Sequence, residues 1–235
     1  MTEAAIAISF VDPERGVHGT ARSGMTLLFD GRTASSHPEG PAIERAGDGW
    51  RAELADRIAL DFSPVGPEAD LAGMRARICV VSGDAAGARI DGLGVVSETL
   101  TPPRWDELDA LRSVHALFDP EHAVVALARR PKGARGHGEE LVVAHLLSGG
   151  ELVAIEDARL STIYNGDGRP RQAGMELWLP GEDFPRRAFG TVTAGASLAL
   201  GGLDVHAAVF GWRMEGREGA GIYELTVREP APAAA

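Results

Sequence analysis

The chain has 235 residues, is 44% hydrophobic, and carries 34 acidic against 23 basic side chains, a net charge of −11. A surface of that sign repels phosphate backbones and anionic headgroups, which argues against nucleic-acid or membrane-surface binding and otherwise serves solubility. The 30 glycines and 14 prolines fall singly between apolar runs, which excludes collagen-like and disordered chains and predicts many short strands joined by turns.

Met1-Thr2-Glu3-Ala4-Ala5-Ile6 has no basic region followed by an apolar stretch, so no secretion signal is expected. No run approaches the roughly 20 apolar residues that cross a bilayer, so no membrane span is expected. The first period-two segment is 25–29, ended by Asp30-Gly31, and a second pair covers 50–54 and 57–62 before Pro64 and Pro67. Strands at 75–81 and 88–96 follow, separated by Gly83 to Gly87. The single cysteine, Cys79, lies in the run Ile78-Cys79-Val80-Val81 and reads as a buried structural thiol. One cysteine forms no intrachain disulfide, so a reducing, cytoplasmic location is expected.

Past Pro102-Pro103, residues 105–111 are the best helical candidate, two turns at most. Strands are then predicted at 112–118, 123–129 and 140–147. A hairpin follows from 152–164 and 172–179, around Asn165-Gly166-Asp167-Gly168 in a type I′ turn. Residues 188–200, 205–214 and 222–227 complete the meander, with Gly201-Gly202 and Gly216 to Gly221 as turns. This regular spacing predicts an all-β fold, either an antiparallel barrel or two strongly curved sheets. Prolines near 101–104 divide it into two tandem halves, 1–101 and 102–229, with a Pro/Ala-rich disordered tail at 230–235.

A half-exposed antiparallel strand alternates apolar and polar residues. Residues 205–212 do not: His206, Ala208, Phe210 and Trp212 share one face, and Val205, Ala207, Val209 and Gly211 the other. Residues 123–127 are similar. Both faces are therefore covered, by a cavity for a small apolar ligand or by a filled core with a homodimer interface.

No phosphate loop, zinc-protease helix, nucleophile elbow or paired-cysteine motif occurs, and neither a cofactor nor a metal is expected. His115, His145 and His206 share strand faces with apolar residues, where a hydrogen-bonded core histidine is the ordinary state and convergence on a metal the alternative. Glu176, beside Trp178, and Glu224, after Tyr223, are the candidate catalytic acids. A carboxyl held against apolar or aromatic surface keeps its proton at neutral pH. The alternative is a solvent-facing Glu, or one paired with Arg112, Arg171 or Arg213. Trp178, Trp212 and Tyr164 would shape the pocket, with Arg112, His115, His206, Phe210 and Tyr223 along its wall.

Gly92-Leu93-Gly94, too short for a dinucleotide fingerprint, marks a bulge or a close backbone approach. Together with Val95-Val96-Ser97-Glu98, Pro103-Arg104-Trp105-Asp106 and the strand holding Arg112 and Phe118, it resembles the centre of the carotenoid-hydratase-like (hydroxyneurosporene synthase-like) group. The closing Gly219-Ala220-Gly221-Ile222-Tyr223-Glu224 is similar to the last strand of uncharacterised relatives. The usual His/Ser-Trp-Gly element is here Glu98-Thr99-Leu100-Thr101. The resemblance implies tandem lipocalin-like β domains, an apolar or polycyclic substrate, hydration or cyclisation of alkenes without a redox cofactor, and Arg104 and Trp105 at the cavity mouth. Three functions remain open: acid-assisted hydration, isomerisation or cyclisation of an isoprenoid- or polyketide-like molecule, a non-catalytic carrier, and a structural dimerising β domain.

Overall fold

A computed structural model describes residues 5–228, so the tail expected to be disordered, 230–235, lies outside the described residues. The first sheet is built from β1 (Ala5–Asp12), β2 (Val17–Arg22), β3 (Met25–Asp30), β4 (Thr33–His37), β5 (Ala42–Ala46), β6 (Gly49–Leu54), β7 (Ile58–Pro64), β8 (Ala69–Asp70), β9 (Met74–Ala85) and β10 (Ala88–Thr99). The second is built from β11 (Leu108–Asp119), β12 (His122–Pro131), β13 (Leu141–Ser148), β14 (Glu151–Ala154), β15 (Asp157–Tyr164), β16 (Pro170–Trp178), β17 (Arg186–Leu200), β18 (Leu203–Met214) and β19 (Arg217–Arg228). Their orders are β4-β3-β2-β1-β10-β9-β7-β6-β5 and β14-β13-β12-β11-β19-β18-β17-β16-β15, the same connectivity twice apart from β8, which pairs with β9. The fold is all-β, in the form of two curled antiparallel sheets.

Three apolar layers result. One fills the curl of the first sheet around Trp50, Leu60 and Phe62, and another fills that of the second around Phe210, Trp212 and Tyr223. The third lies between the sheets, where Leu27, Phe29 and Val95 meet Val125, Leu127 and Val209. Each large side chain so buried contributes roughly 1.5–3 kcal/mol. This explains the two-sided strands: Ala208, Phe210 and Trp212 enter the layer inside the second sheet, while Val205, Ala207 and Val209 enter the layer between sheets.

Residues 105–111 are not helical. After Pro103 the chain makes tight turns, with Trp105 N donating to Pro103 O at 3.1 Å and Glu107 N to Arg104 O at 2.9 Å, and then enters β11. Pairing of Ala110 with Arg130 and Val227 overrides the weak helical pattern. The segment 152–164 divides into β14 and β15, because Ile155 N still bonds Ala144 O at 3.0 Å while Glu156 N already bonds Trp178 O at 2.9 Å. That step carries the chain from one end of the second sheet to the other and draws the curl closed. The Asn165–Gly168 turn is not type I′: Gly168 alone of the four takes a positive φ, +78°, and its N–H donates to Asn165 O at 3.0 Å. Two successive positive φ values occur instead at Ala86-Gly87 and Glu215-Gly216, where the first residue hides the turn signal.

The glycines of β10 mark close backbone approaches, one of the two readings open in the sequence; Gly219 and Gly221, expected in a turn, lie within β19 and approach β11 closely as well, the turn being confined to Glu215-Gly216. A Cβ on Gly94 would overlap the Ser9 carbonyl oxygen of β1, and one on Gly221 would overlap the His115 carbonyl oxygen of β11. The obstacle is main chain in both cases, so neither strand can yield by a rotamer change. Gly221→Ala is expected to cost about 1–3 kcal/mol, measured by urea unfolding. An unchanged midpoint would show that β11 and β19 part freely.

Candidate functional site

The large cavity of the molecule, about 1250 Å³, lies between the two sheets and is lined from both halves. Most of the residues expected to line a pocket within the second half, Phe210, Trp212 and Tyr223 among them, pack instead into its core. Small residues make the room. In β1, Ala5, Ala7 and Ser9 face the cavity, while Phe10 fills the first sheet's core with Ile8 beside it. Burial deepens along the facing strands, from Ala5 to Ser9, from Arg22 to Thr20 and from Leu111 to His115. The mouth is therefore at the end near Leu100, Pro102, Pro103 and Trp105, and the floor is at Ser9, Thr20 and His115.

The floor is polar but uncharged. Ser9 Oγ lies 2.9 Å from His115 Nδ1, and Ser113 Oγ lies 3.3 Å from His115 Nε2. Burial pulls the His115 pKa down to about 4, so the ring is neutral at pH 7, one nitrogen donating and the other accepting. Between floor and mouth, Arg22 Nη1 of β2 meets Glu224 Oε1 of β19 at 2.5 Å, an ion pair that joins the two sheets. Glu224 stands opposite Ser113 in the β11–β19 register, so carboxylate, hydroxyl and imidazole follow one another along the wall. Such a set can bind a polar group and accept or relay a proton.

Of the residues singled out in the sequence, Trp105, His115 and Glu224 line this cavity. Arg104 does not: it is exposed on the linker, 3.2 Å from Asp106 and 2.8 Å from Glu107. Arg112, Phe210, Trp212 and Tyr223 face the opposite side and form the second sheet's core, with Tyr164 packed against it. The cause is strand alternation, since Arg112 is out of phase with Leu111, Ser113 and His115. Arg112 is fully buried and ion-paired with Glu140, and it donates to Thr162 Oγ1 at 2.7 Å, Tyr223 OH at 3.1 Å and Leu160 O at 3.1 Å.

Glu176 lies on the outside, 2.9 Å from Arg187, and Trp178 is covered by the Arg159 guanidinium at 4.7 Å. His206 bonds Ser197 Oγ at 2.6 Å and borders a separate cavity of about 240 Å³. The strand histidines do not converge: among the described residues no cluster of three His, Cys, Asp or Glu could hold a metal. Cys79 is buried, and burial pushes its thiol up to about 12, which fits a structural role. No helix among the described residues is long and apolar enough to cross a membrane.

Sequence reasoning missed Ser9, Thr20, Arg22 and Ser113. The signal for Ser9 was present in Ala5-Ile6-Ala7-Ile8-Ser9-Phe10, which alternates small and large residues, a strand with one face kept clear. Nothing local marks Arg22, whose partner is 202 residues away.

No family model matches the chain, and no curated protein matches it. Among solved structures, a candidate ATTH from Nitrosomonas europaea is similar at a TM-score of 0.65 and 13% identity, over 95% of this chain and 92% of that one. Kievitone hydratase from Nectria haematococca is similar at a TM-score of 0.60 and 10% identity, over 97% of this chain and 90% of that one. At these identities the likeness is one of fold, shared over nearly the whole length.

Proposed function

We propose that the protein takes a small apolar molecule, isoprenoid- or polyketide-like, into the cavity between its sheets and carries out cofactor-free hydration or isomerisation on it. The observation that carries this reading is a deep, largely apolar cavity with hydroxyls, one imidazole and one mutually paired arginine and glutamate set into its two sheets. The fold likeness to kievitone hydratase supports the reaction class by analogy. Trp105 guards the mouth, and His115 is the group that moves the proton, with Ser113 and Glu224 beside it on the wall.

The local chemistry favours a base-first route over the acid-first route suggested by the carboxyls alone. The His115 imidazole lies between the Ser9 and Ser113 hydroxyls, so one nitrogen can take a proton while the other gives one up and the buried ring need not hold a full charge, and the carboxylate of Glu224 is already matched by Arg22. In hydration of an alkene conjugated to a carbonyl, one imidazole nitrogen of His115 takes a proton from water as the oxygen bonds the β carbon, the carbonyl takes up the electron pair, and the other nitrogen gives a proton to the α carbon; the ring changes tautomer and the net change is one water added. Isomerisation uses the same removal and return of a proton on the substrate itself.

Nile red, a neutral dye, is expected to bind the wild type, and Ala7→Phe, which narrows the cavity, to weaken binding. A wild type that binds no dye would defeat the reading. Mass spectrometry of co-purifying molecules then supplies a substrate. His115→Phe is expected to retain binding while slowing turnover at least about 100-fold. Recovery of chemically unchanged ligand from the wild type would make the protein a carrier.

A further inference from the structure

We infer that the molecule accepted by the cavity ends in an uncharged polar group, a hydroxyl or a ketone-type carbonyl, and not in a carboxylate or an amine. This rests on the proposed occupancy of the cavity and adds the chemical class of the ligand's polar end. Among the described residues, the charged side chains on the wall are Arg22 and Glu224, and they neutralise each other at 2.5 Å. A carboxylate would have to displace Glu224 from Arg22, and an amine would have to displace Arg22 from Glu224. Either leaves one charge unmatched on a mostly apolar wall, where an unpaired ion is costly.

Beyond that pair, the floor offers no countercharge. Ser9, Thr20, Ser97 and His115 are all buried, and the imidazole sits between two hydroxyls, Ser9 and Ser113. Burial alone accounts for the low pKa of His115, with no neighbouring charge to hold it protonated. Hydroxyls and a neutral imidazole both donate and accept, so a ligand hydroxyl can be satisfied in either role and a carbonyl can accept from a serine. Val95 and Ile222 flank this floor and suit an apolar body directly behind such a group.

Farnesol, farnesoic acid and farnesylamine share one chain and differ in the terminal group, and at pH 7.5 the last two are charged. Farnesol is expected to displace Nile red at a concentration at least about tenfold below either ion. Glu224→Gln leaves Arg22 unmatched, and farnesoic acid is then expected to gain at least about tenfold relative to farnesol. Arg22→Gln/Glu224→Gln, with both charges gone, restores the preference for farnesol. Farnesoic acid or farnesylamine binding the wild type within about threefold of farnesol would overturn the inference, whether or not the variants fold. Dye that none of the three compounds displaces would instead defeat the occupancy of the cavity itself.

Discussion

Replacing Arg112 by alanine is expected to lower stability by about 3–5 kcal/mol and the melting temperature by roughly 10 °C. The guanidinium is fully buried in the second sheet and pairs with Glu140, whose side chain is 1% exposed. It also reaches across the curl to Thr162 and to the Leu160 carbonyl of β15, and binds Tyr223 of β19. Alanine would remove those bonds and take away one of the cations beside a buried carboxylate, a loss that exceeds the net value of the pair. Arg112→Met combined with Glu140→Leu should recover part of the deficit, since no buried carboxylate is left behind, although Arg130 loses its bond to Glu140 and Thr162, Tyr223 and Leu160 lose theirs to Arg112. Differential scanning calorimetry on the three proteins measures the effect. Because Arg112 points away from the cavity, Nile red affinity of the folded single variant should equal that of the wild type. A variant with normal stability and altered dye binding would contradict this placement.

Acidification from pH 7 to 4.5 is expected to remove about 2–3 kcal/mol of stability for each of His18 and His115. Burial lowers both folded pKa values to about 4; at His18 the Asp12 carboxylate opposes the effect without cancelling it. In the unfolded chain each ring titrates near 6.5. Between the two values the unfolded chain binds protons that the folded one refuses. The stabilisation is therefore full above about pH 6.5 and is lost as the pH falls toward 4. Carboxyls titrate mostly below this window, which therefore reports chiefly on histidines; His145 and His206, also lowered by burial, add their own shares. Urea unfolding of the wild type, His18→Gln and His115→Gln at both pH values provides the check, each variant flattening the slope by its own share. A wild-type midpoint independent of pH across this range would show that the two rings are reached by water.

The β architecture was legible because it rests on local signals: short apolar runs such as 205–214, the Gly201-Gly202 turn before it, and the prolines after Thr101. The first two strands carry weak signals: β1 alternates large with small or hydroxyl-bearing residues, and β2, Val17-His18-Gly19-Thr20-Ala21-Arg22, holds a single branched apolar residue. Two-sided burial in 205–212 was read correctly as covering on both faces. Alternation alone could not say that one cover is the other sheet of the same chain. This also explains why Phe210, Trp212 and Tyr223 drew attention as pocket residues: large aromatics signal burial, whereas the cavity is bordered by alanines and serines that leave space. Glu224 and His115 were legible as polar residues on apolar strands, but their partners Arg22 and Ser9 come from the other half and depend on how the sheets dock.

The cavity's walls belong to both sheets, and two of its polar contacts, Ser9 with His115 and Arg22 with Glu224, cross from one half to the other. Whatever occupies that space therefore adds its binding free energy to the association of the halves, not to the interior of either one. By mass action, a ligand present at a hundred times its dissociation constant would add about 2.7 kcal/mol there. How firmly the two halves of the chain hold together is in this sense set by the concentration of a small molecule as well as by the sequence.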